Sequence, residues 1–469
     1  MEADWKKIFA KGESASGGKK IYFIGIKGSG VIALVEILQK KGYKVTGSDT
    51  TEKFFTEDIL KKKLFVKYHE GFDAKHITPD IDLVIYSTAY SESNNEEWRA
   101  AKYKMIPMMS YPEMLASLFN GKYGIAICGT HGKTTTTAML AEIFRVAGLD
   151  PTAAVGSLVR QWRSSTLVGR SEFMILEADE YQNKIGLYDP QAVVLTSADW
   201  DHPDFFPTYE EYKNTFRKFV QKVPRHGFLV VCGDRSETLE IAKLAKCKVI
   251  SYGFGSGVDM KIGNHGLREG KQFFSVTVRD KRLGDFEIML PGRHNVLNAA
   301  AAIAMAHQFN AKMEKVREAL ANFEGTSRRF EYIGQRNGAI LIDDYGHHPE
   351  EIKATLQAAR EFFPKRRIWC VFHPHTFTRT KALLSEFAQS FENADKVIVL
   401  DIYGSVREQQ GGVHSKDLVE LVKKYHRNVE YIPTIDEAVE FLQGIISKED
   451  LIIAMGAGNV WEVVDKLKE

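Results

Sequence analysis

The sequence predicts an α/β protein of three domains, and three observations carry that prediction. Its 469 residues exceed one ordinary core, because domains run to roughly 100–200 residues. Short β-branched runs alternate with helical stretches along most of the chain, the pattern of parallel sheets covered by helices on both faces. Two strand–helix junctions carry glycine-rich loops, "GIKGSG" at 25–30 and "CGTHGKTTTT" at 128–137.

The first unit reads as strand, glycine turn, helix and second strand. "KIYFIGI" (20–26) leads into "VIALVEILQKKG" (31–42), apolar at helical spacing and stopped by glycine, and a second strand ends at Asp49. Gly25, Gly28 and Gly30 allow a tight turn and let backbone N–H groups approach a pyrophosphate at the helix N-terminus. Asp49 stands where a ribose-binding acid would, about 20 residues on. The spacing is G-x-x-G-x-G, not G-x-G-x-x-G, so on this fragment alone a plain βα turn and a nicotinamide site both stay open.

In the second unit, "YGIAICG" (123–129) and "TTTAMLAEIFRVAG" (135–148) flank a loop in which only Thr130 and His131 separate Gly129 from Gly132-Lys133-Thr134. The usual phosphate-binding loop has four residues there. The strand–loop–helix context still suits phosphate: backbone amides from Gly129 to Lys133 would cradle it, Lys133 would reach the β- and γ-phosphates, and the Thr134 hydroxyl would ligate Mg²⁺. The following strands end in acid. "FMILEADE" brings Glu177, Asp179 and Glu180, and "VVLTSADWDHPDFF" brings Asp199, Asp201 and His202. Each cluster alone reads equally as a solvated strand end; after a P-loop helix they read together as a Mg-ATP site. "PGRHNVLNAAAAIAMA" opens a helix whose small residues allow close packing. Asn298 there could contact adenine, and Asn295 reads also as a helix cap.

Residues 226–290, with "GFLVVCGD", "KVISYGFG" and "QFFSVTVRD", read as a hairpin-rich insertion in the middle domain. The strands "IWCVFHP" (368–374), "KVIVLDIY" (396–403) and "DLIIAMGAG" (450–458) belong to a third sheet. Boundaries near 118–122 and 324–328 divide the chain into 1–119, 120–326 and 327–469.

Bulk properties exclude several classes. A net charge of +2 argues against a dominant nucleic-acid surface. No apolar run approaches the ~18 residues of a membrane span, and the polar first 20 residues carry no secretory h-region. The expectation is a cytoplasmic monomer or homodimer. The cysteines, at 128, 232, 247 and 370, fall in no CxxC pair and read as buried, reduced small hydrophobes.

The shortened loop "GTHGKTT", the strand-end Glu177, the Asp201-His202 pair and "RHNVLN" resemble the Mur ligase family of cell-wall enzymes, from about residue 20 to 460. Its P-loop is of the G-x-x-G-K-T type, so nothing is missing from the loop. "DDYGHHPEEIKATL" (343–356), "HPHTFTRT" (373–380) and "DIYGSVRE" (401–408) are similar to the alanine-adding branch, as is Phe216 where several family ligases carry a carbamylated lysine. The branch that reattaches a murein tripeptide fits less well.

The resemblance implies a Rossmann-like UDP-binding domain, a central P-loop ATPase domain and a C-terminal Rossmann-like domain. It implies a ligase that joins L-alanine to the lactoyl carboxylate of UDP-N-acetylmuramate through an acyl phosphate, with ATP and two Mg²⁺ sites. Position by position, Gly28, Ser29, Gly30, Asp49 and Ser87 would hold the UDP-sugar. Gly129, Thr130, His131, Gly132, Lys133, Thr134 and Thr135 would hold the ATP phosphates, and His294, Asn295 and Asn298 would lie at its adenine end. Arg329 and Asp344 would reach ATP from the C-terminal domain. Thr134 and Glu177 would bind one Mg²⁺ and His202 a second. Tyr345, His347, His375 and Arg379 would line the alanine pocket, with Arg379 on the carboxylate. The catalytic set is then Lys133, His202, Arg329 and His347, the last either taking the amine's proton or only orienting substrate.

The sequence departs from the family at Lys27, where glycine is usual, at Phe72 and His76, where His and Asn are usual, and at Asn459, where Asp is usual. Other readings are a related ligase for another amino acid or a tripeptide, a nicotinamide oxidoreductase, and a non-catalytic nucleotide-binding regulator.

Overall fold

The computed structural model describes residues 18–52, 54, 56–404, 408 and 410–468. The polar segment at 1–17, residues 405–407 of "DIYGSVRE" and the Ser29 side chain lie outside the described residues.

Three sheets follow one another along the chain. The first holds β1 (Lys20–Ile24), β2 (Lys44–Asp49), β3 (Tyr68–Glu70), β4 (Leu83–Tyr86) and β5 (Met108–Ser110), all parallel, in the order β3-β2-β1-β4-β5. The strand order reverses between β1 and β4, which opens a crevice at their carboxyl ends.

The central sheet holds β6 (Tyr123–Cys128), β7 (Thr152–Val159), β8 (Ser164–Leu167), β9 (Phe173–Glu177), β10 (Ala192–Leu195), β11 (Phe228–Cys232), β12 (Lys248–Gly253), β13 (Met260–Arg268), β14 (Lys271–Val278) and β15 (Lys281–Ile288). Their order is β15-β14-β13-β12-β11-β10-β6-β9-β7-β8. The glycine-loop strand β6 therefore runs between β9 and β10, parallel to both, and the acidic ends of those two strands flank the loop. The third sheet holds β16 (Glu331–Arg336), β17 (Ala339–Asp344), β18 (Arg367–Phe372), β19 (Lys396–Val399), β20 (Val429–Tyr431) and β21 (Asp450–Met455), in the order β16-β17-β21-β18-β19-β20. Only β16 is antiparallel to its neighbour.

The expected hairpin-rich insertion is smaller than the sequence suggested. β11 pairs in parallel with β10, and β12 in parallel with β11, and only β13–β15 form an antiparallel meander, which extends the same sheet. Glycine and aspartate between β11 and β12 mark strand ends rather than tight turns, because a seven-residue helix, Ser236–Ala242, makes the crossover.

Why these strands are uniformly apolar follows from their burial. Along β6, Ile125 and Ile127 face one core while Ala126 and Cys128 face the other, as the two-residue period of a strand requires. Both faces are covered, so no polar alternation survives. One face receives α2 and α3, here defined after α1 (Ser29–Lys40) as α2 (Lys133–Val146) and α3 (Arg293–Gln308). The fully buried run Ala299–Ala302 removes side-chain bulk from α3 and lets it pack closely on α2. In the third sheet's layer, α4 (Pro349–Phe362) and α5 (Phe377–Ala382) follow β17 and β18.

The strands read from sequence overrun the observed ones at their carboxyl ends: 20–26 against Lys20–Ile24, 192–198 against Ala192–Leu195, 450–458 against Asp450–Met455. The surplus residues are apolar or small and, Ala457 apart, buried, yet they leave the ladder to build the βα loops described next. All four cysteines are free, three of them buried. Among the described residues no helix is long and apolar enough to cross a membrane.

Candidate active site

The P-loop is held by side chains beneath it. Gly132 caps α2 in the left-handed region at φ +77°, where a Cβ would lie 2.3 Å from Asn298 Oδ1. Thr196 Oγ1 donates to His131 O at 2.6 Å, Ser197 Oγ accepts from His131 N at 2.9 Å, and Thr130 Oγ1 donates to Asp199 O at 2.6 Å. The two-residue spacer is thus compact because the loop folds onto the chain leaving β10. Thr134 and Thr135 follow in the first turn of α2, nearly buried.

Lys133 Nζ lies 3.0 Å from Glu180 Oε2 and 2.5 Å from Gly129 O. Burial works against its charge, but Glu180, Asp179 and Glu177 together hold the ammonium above its ordinary value. Thr134 Oγ1 donates to Glu177 Oε1 at 2.9 Å, and Gly156 N donates to Glu177 Oε2 at 2.6 Å. Among the described residues no three His, Cys, Asp or Glu side chains converge as a metal cage. The adjacent hydroxyl and carboxylate fit Mg²⁺ nonetheless, since that ion takes few protein oxygens and completes its shell with water and phosphate. His202, at φ +56°, places Nε2 3.9 Å from Glu180 Oε1 and 3.7 Å from Asp201 Oδ2.

A cavity of about 370 Å³ opens between this loop and the C-terminal domain, lined by His131, Thr135, His294, Asn298, Arg329 and Asp344 among others. Burial, helped by Arg329, pushes His294 down to about 4. Asn295 does not cap α3: the N-cap is Gly292, and Asn295 Nδ2 donates back to Pro291 O at 2.6 Å while its Oδ1 accepts from Asn298 Nδ2 at 3.1 Å. That chain of bonds fixes the Asn298 amide. Asp344 braces two turns at once, accepting from Phe330 N and Gly346 N, each at 2.8 Å. The guanidinium of Arg329 stands 5.2 Å from the Tyr345 ring centre and 3.6 Å from Glu351 Oε1.

The predicted alanine-pocket residues do converge. His347 packs edge-on to Tyr345 at 5.3 Å, with its centroid 6.2 Å from that of His375. His347 Nδ1 lies 3.0 Å from Tyr345 O; a carbonyl only accepts, so Nδ1 carries the proton and Nε2 is an acceptor. Burial pushes His347 down to about 4. Arg379, almost fully buried, donates through Nε to Asp201 Oδ1 at 2.8 Å, across the boundary between the second and third sheets' layers. Burial would raise the Asp201 carboxyl, but Arg379 and the nearby histidines hold it well below the usual carboxylate range.

The glycine loop after β1 forms a separate cluster. Asp49 Oδ2 accepts from Lys27 N at 2.6 Å, and Ser87 N donates to Ile24 O at 2.9 Å. Asp49 is buried and ties the loop to the end of β2. Lys27 turns its ammonium inward, to Thr50 O at 2.8 Å, Glu52 O at 2.9 Å and Glu57 Oε1 at 3.0 Å. His76 stacks on His69 and meets Glu97 Oε1 at 2.7 Å, and Phe72 packs on Tyr90. Asn459 Nδ2 donates to Glu462 at the start of the last helix, 3.1 Å away. A cavity of about 540 Å³ joins Gly30 and Tyr111 of the first domain to Glu177, Lys184, Arg329 and Tyr345. Asp49 and Ser87 stay outside it.

Sequence reasoning passed over Glu351. It touches His131 Nδ1 at 3.2 Å, His347 N at 3.0 Å and Arg329, joining the P-loop to both C-terminal clusters. Its signal was its place four residues after His347 in the first turn of α4. Tyr212, whose hydroxyl bridges Thr130 Oγ1 at 2.9 Å and Glu180 Oε1 at 3.0 Å, had no local signal at all.

Comparison with known proteins places this geometry. Residues 20–123 match the Mur ligase family catalytic domain, 127–306 the Mur ligase middle domain, and 328–458 the glutamate ligase domain of Mur ligases. A UDP-N-acetylmuramate–L-alanine ligase from Clostridium kluyveri is 41% identical over 447 residues, covering 95% of this chain and 97% of the relative. The solved UDP-N-acetylmuramate–alanine ligase of Thermotoga maritima superimposes with a TM-score of 0.80 at 25% identity, covering 96% of this chain and 98% of the other. A murein peptide ligase from Psychrobacter arcticus shares the fold, with a TM-score of 0.72 at 23% identity over 96% of this chain and 98% of its own.

Proposed function

This chain belongs to the Mur ligase family, and on that premise we propose that it is an ATP-dependent ligase that joins L-alanine to UDP-N-acetylmuramate in peptidoglycan precursor synthesis. The observation that carries the reading is the meeting of the P-loop with the C-terminal cluster of Arg329, His347, His375 and Arg379, through Glu351 to His131, His347 and Arg329 and through Asp201 to Arg379, in a chain about 40% identical to alanine-adding ligases over nearly its whole length.

The lactoyl carboxylate would attack the γ-phosphate of ATP, giving an acyl phosphate and ADP. The alanine amine would then attack the acyl carbon, and phosphate would leave through a tetrahedral intermediate. Both steps gather charge on oxygen, so positioned cations supply most of the stabilisation. Lys133 would hold the phosphates from the P-loop and Arg329 from the opposite domain, with Asp344 fixing the turn that presents Arg329. His294 and Asn298 would meet the adenine, and Gly28, Gly30, Asp49 and Ser87 would seat the UDP end. Thr134 and Glu177 would hold one Mg²⁺ and His202 a second; bound there, the ion neutralises phosphate charge.

At neutral pH His347 is uncharged, with Nε2 free to accept a hydrogen bond. A base near 4 is weak for removing an ammonium proton, so His347 orients the amine more than it deprotonates it. The enzyme would act in the cytoplasm as a monomer or homodimer. The test is phosphate release from Mg-ATP with each substrate omitted in turn. Release that requires both UDP-N-acetylmuramate and L-alanine, with the mass of the UDP-sugar–alanine product, is expected; a requirement for another amino acid or a tripeptide would overturn the alanine assignment.

A further inference from the structure

We propose that Asp201 is the receptor for the ammonium group of the incoming amino acid, paired with Arg379 as receptor for its carboxylate. The proposal deepens the ligase reading above and rests on it.

Three observations point there. Asp201 belongs to the central domain, yet its Oδ1 is committed to Arg379 Nε at 2.8 Å, with His202 N donating at 2.7 Å. Its Oδ2 accepts no hydrogen bond from any described residue; what faces it is His347 Nε2 at 3.9 Å and His202 Nε2 at 3.7 Å. Of these two, His347 gives its ring proton to the Tyr345 carbonyl side, so its Nε2 is itself an acceptor, and His202 Nε2 stands beyond hydrogen-bond distance. Two acceptors therefore look at one another across a gap in a nearly buried site. Such a pair is repulsive by itself and calls for a donor between them, and a cationic donor with several protons serves both. An ammonium has that form.

The other half of the zwitterion fits beside it. Arg379 spends Nε on Asp201 and Nη1 on His375 Nδ1 at 3.2 Å, which leaves Nη2 with no hydrogen bond to a described residue. Nη2 is an arm of the same guanidinium whose Nε holds Asp201, so a carboxylate at Nη2 and an ammonium at Oδ2 would sit on adjoining groups, as the two ends of an α-amino acid require. The same carboxylate also lies beside His202, which stands next to the Glu180–Lys133 pair of the P-loop. The amine would thus wait close to the phosphate end where the acyl carbon forms.

The test compares the unaltered protein with Asp201→Asn. Asparagine keeps an oxygen for Arg379 Nε and loses the charge at Oδ2. Loss of a buried, charge-assisted contact should raise the alanine KM at least about 30-fold. KM for ATP and UDP-N-acetylmuramate, and the inhibition constant of propionate, which has the carboxylate without the amine, should stay within about threefold. An unchanged alanine KM overturns the proposal. So does equal weakening of alanine and propionate, which would make Asp201 a positioning residue for Arg379 only. A shift in the half-saturating Mg²⁺ concentration with alanine KM constant would make Asp201 a metal ligand instead. If the variant fails to fold, the unaltered protein still decides: propionate should bind at least about 30-fold more weakly than alanine, and equal affinity refutes an ammonium receptor. Absence of any alanine-dependent turnover in the unaltered protein would refute the ligase reading itself, a result distinct from all of these.

Discussion

Arg329 sits where two domains meet, its guanidinium against Tyr345 and Glu351 and its side chain lining both cavities. Burial opposes its charge, yet Glu351 and Asp344 keep it protonated at any working pH. As a cation aimed at the phosphate end it should act on the transition state more than on ground-state binding. Arg329→Ala is expected to cut turnover at least about 100-fold while leaving UDP-sugar affinity nearly intact; an unaffected rate would remove Arg329 from the mechanism. Lys27 is the contrasting case at this scale. Standing in a phosphate-type glycine loop, it looks like a phosphate ligand, but its ammonium is enclosed by two carbonyls and Glu57, and it staples the segment after β2 to the loop.

At the scale of the element, the junction of β6, P-loop and α2 does the most with the fewest residues. Gly132 turns the chain through the left-handed region directly beneath Asn298 of α3. A methyl group there would strain the backbone by about 1–3 kcal/mol and displace the Asn298 amide. Gly132→Ala should therefore raise the KM for ATP at least about tenfold, the equivalent of more than 1 kcal/mol of binding, while UDP-sugar binding, which depends on the first sheet, stays constant. Steady-state kinetics with calorimetry of the UDP-sugar separates the two; parallel losses would mean that the loop and the first domain are coupled.

Across the whole molecule, four histidines of the central and C-terminal domains are neutralised by burial: His294, His347 and His373 are pushed down to about 4, and His375 to about 2. In the unfolded chain they titrate near 6.5. Between 6.5 and 4 the unfolded state therefore binds more protons, so the stability these groups contribute is complete above 6.5 and is lost as pH falls through that window. Each can contribute up to about 3 kcal/mol. Asp343, raised to about 6 by burial, works in the opposite direction over part of the range, as do Asp49, Glu177 and Asp344, which burial also raises; His69, His307 and His348, lowered by burial, act with the four. The urea midpoint should fall between pH 7 and pH 5, and His294→Gln should flatten part of that fall. A midpoint that rises on acidification would mean that these imidazoles are solvated in the folded protein.

By itself the sequence determined the local parts. Strand and helix runs, both glycine loops and the acids at the ends of β9 and β10 were legible because they depend on neighbours two to four residues away, through burial periodicity and turn chemistry. The motifs added the family, since P-loop spacing and the "RHNVLN" and "DDYGHHP" segments travel together. Tertiary structure decided what those parts touch. It placed β11 and β12 in the parallel sheet, ended the strands early so that their last residues could build loops, and turned Lys27 inward. It brought Asp201 to Arg379 and Glu351 to His131, pairs 178 and 220 residues apart. Such contacts have no local signature, because an ion pair between domains is set by how three separately folded sheets meet, and no stretch of chain carries that geometry within itself.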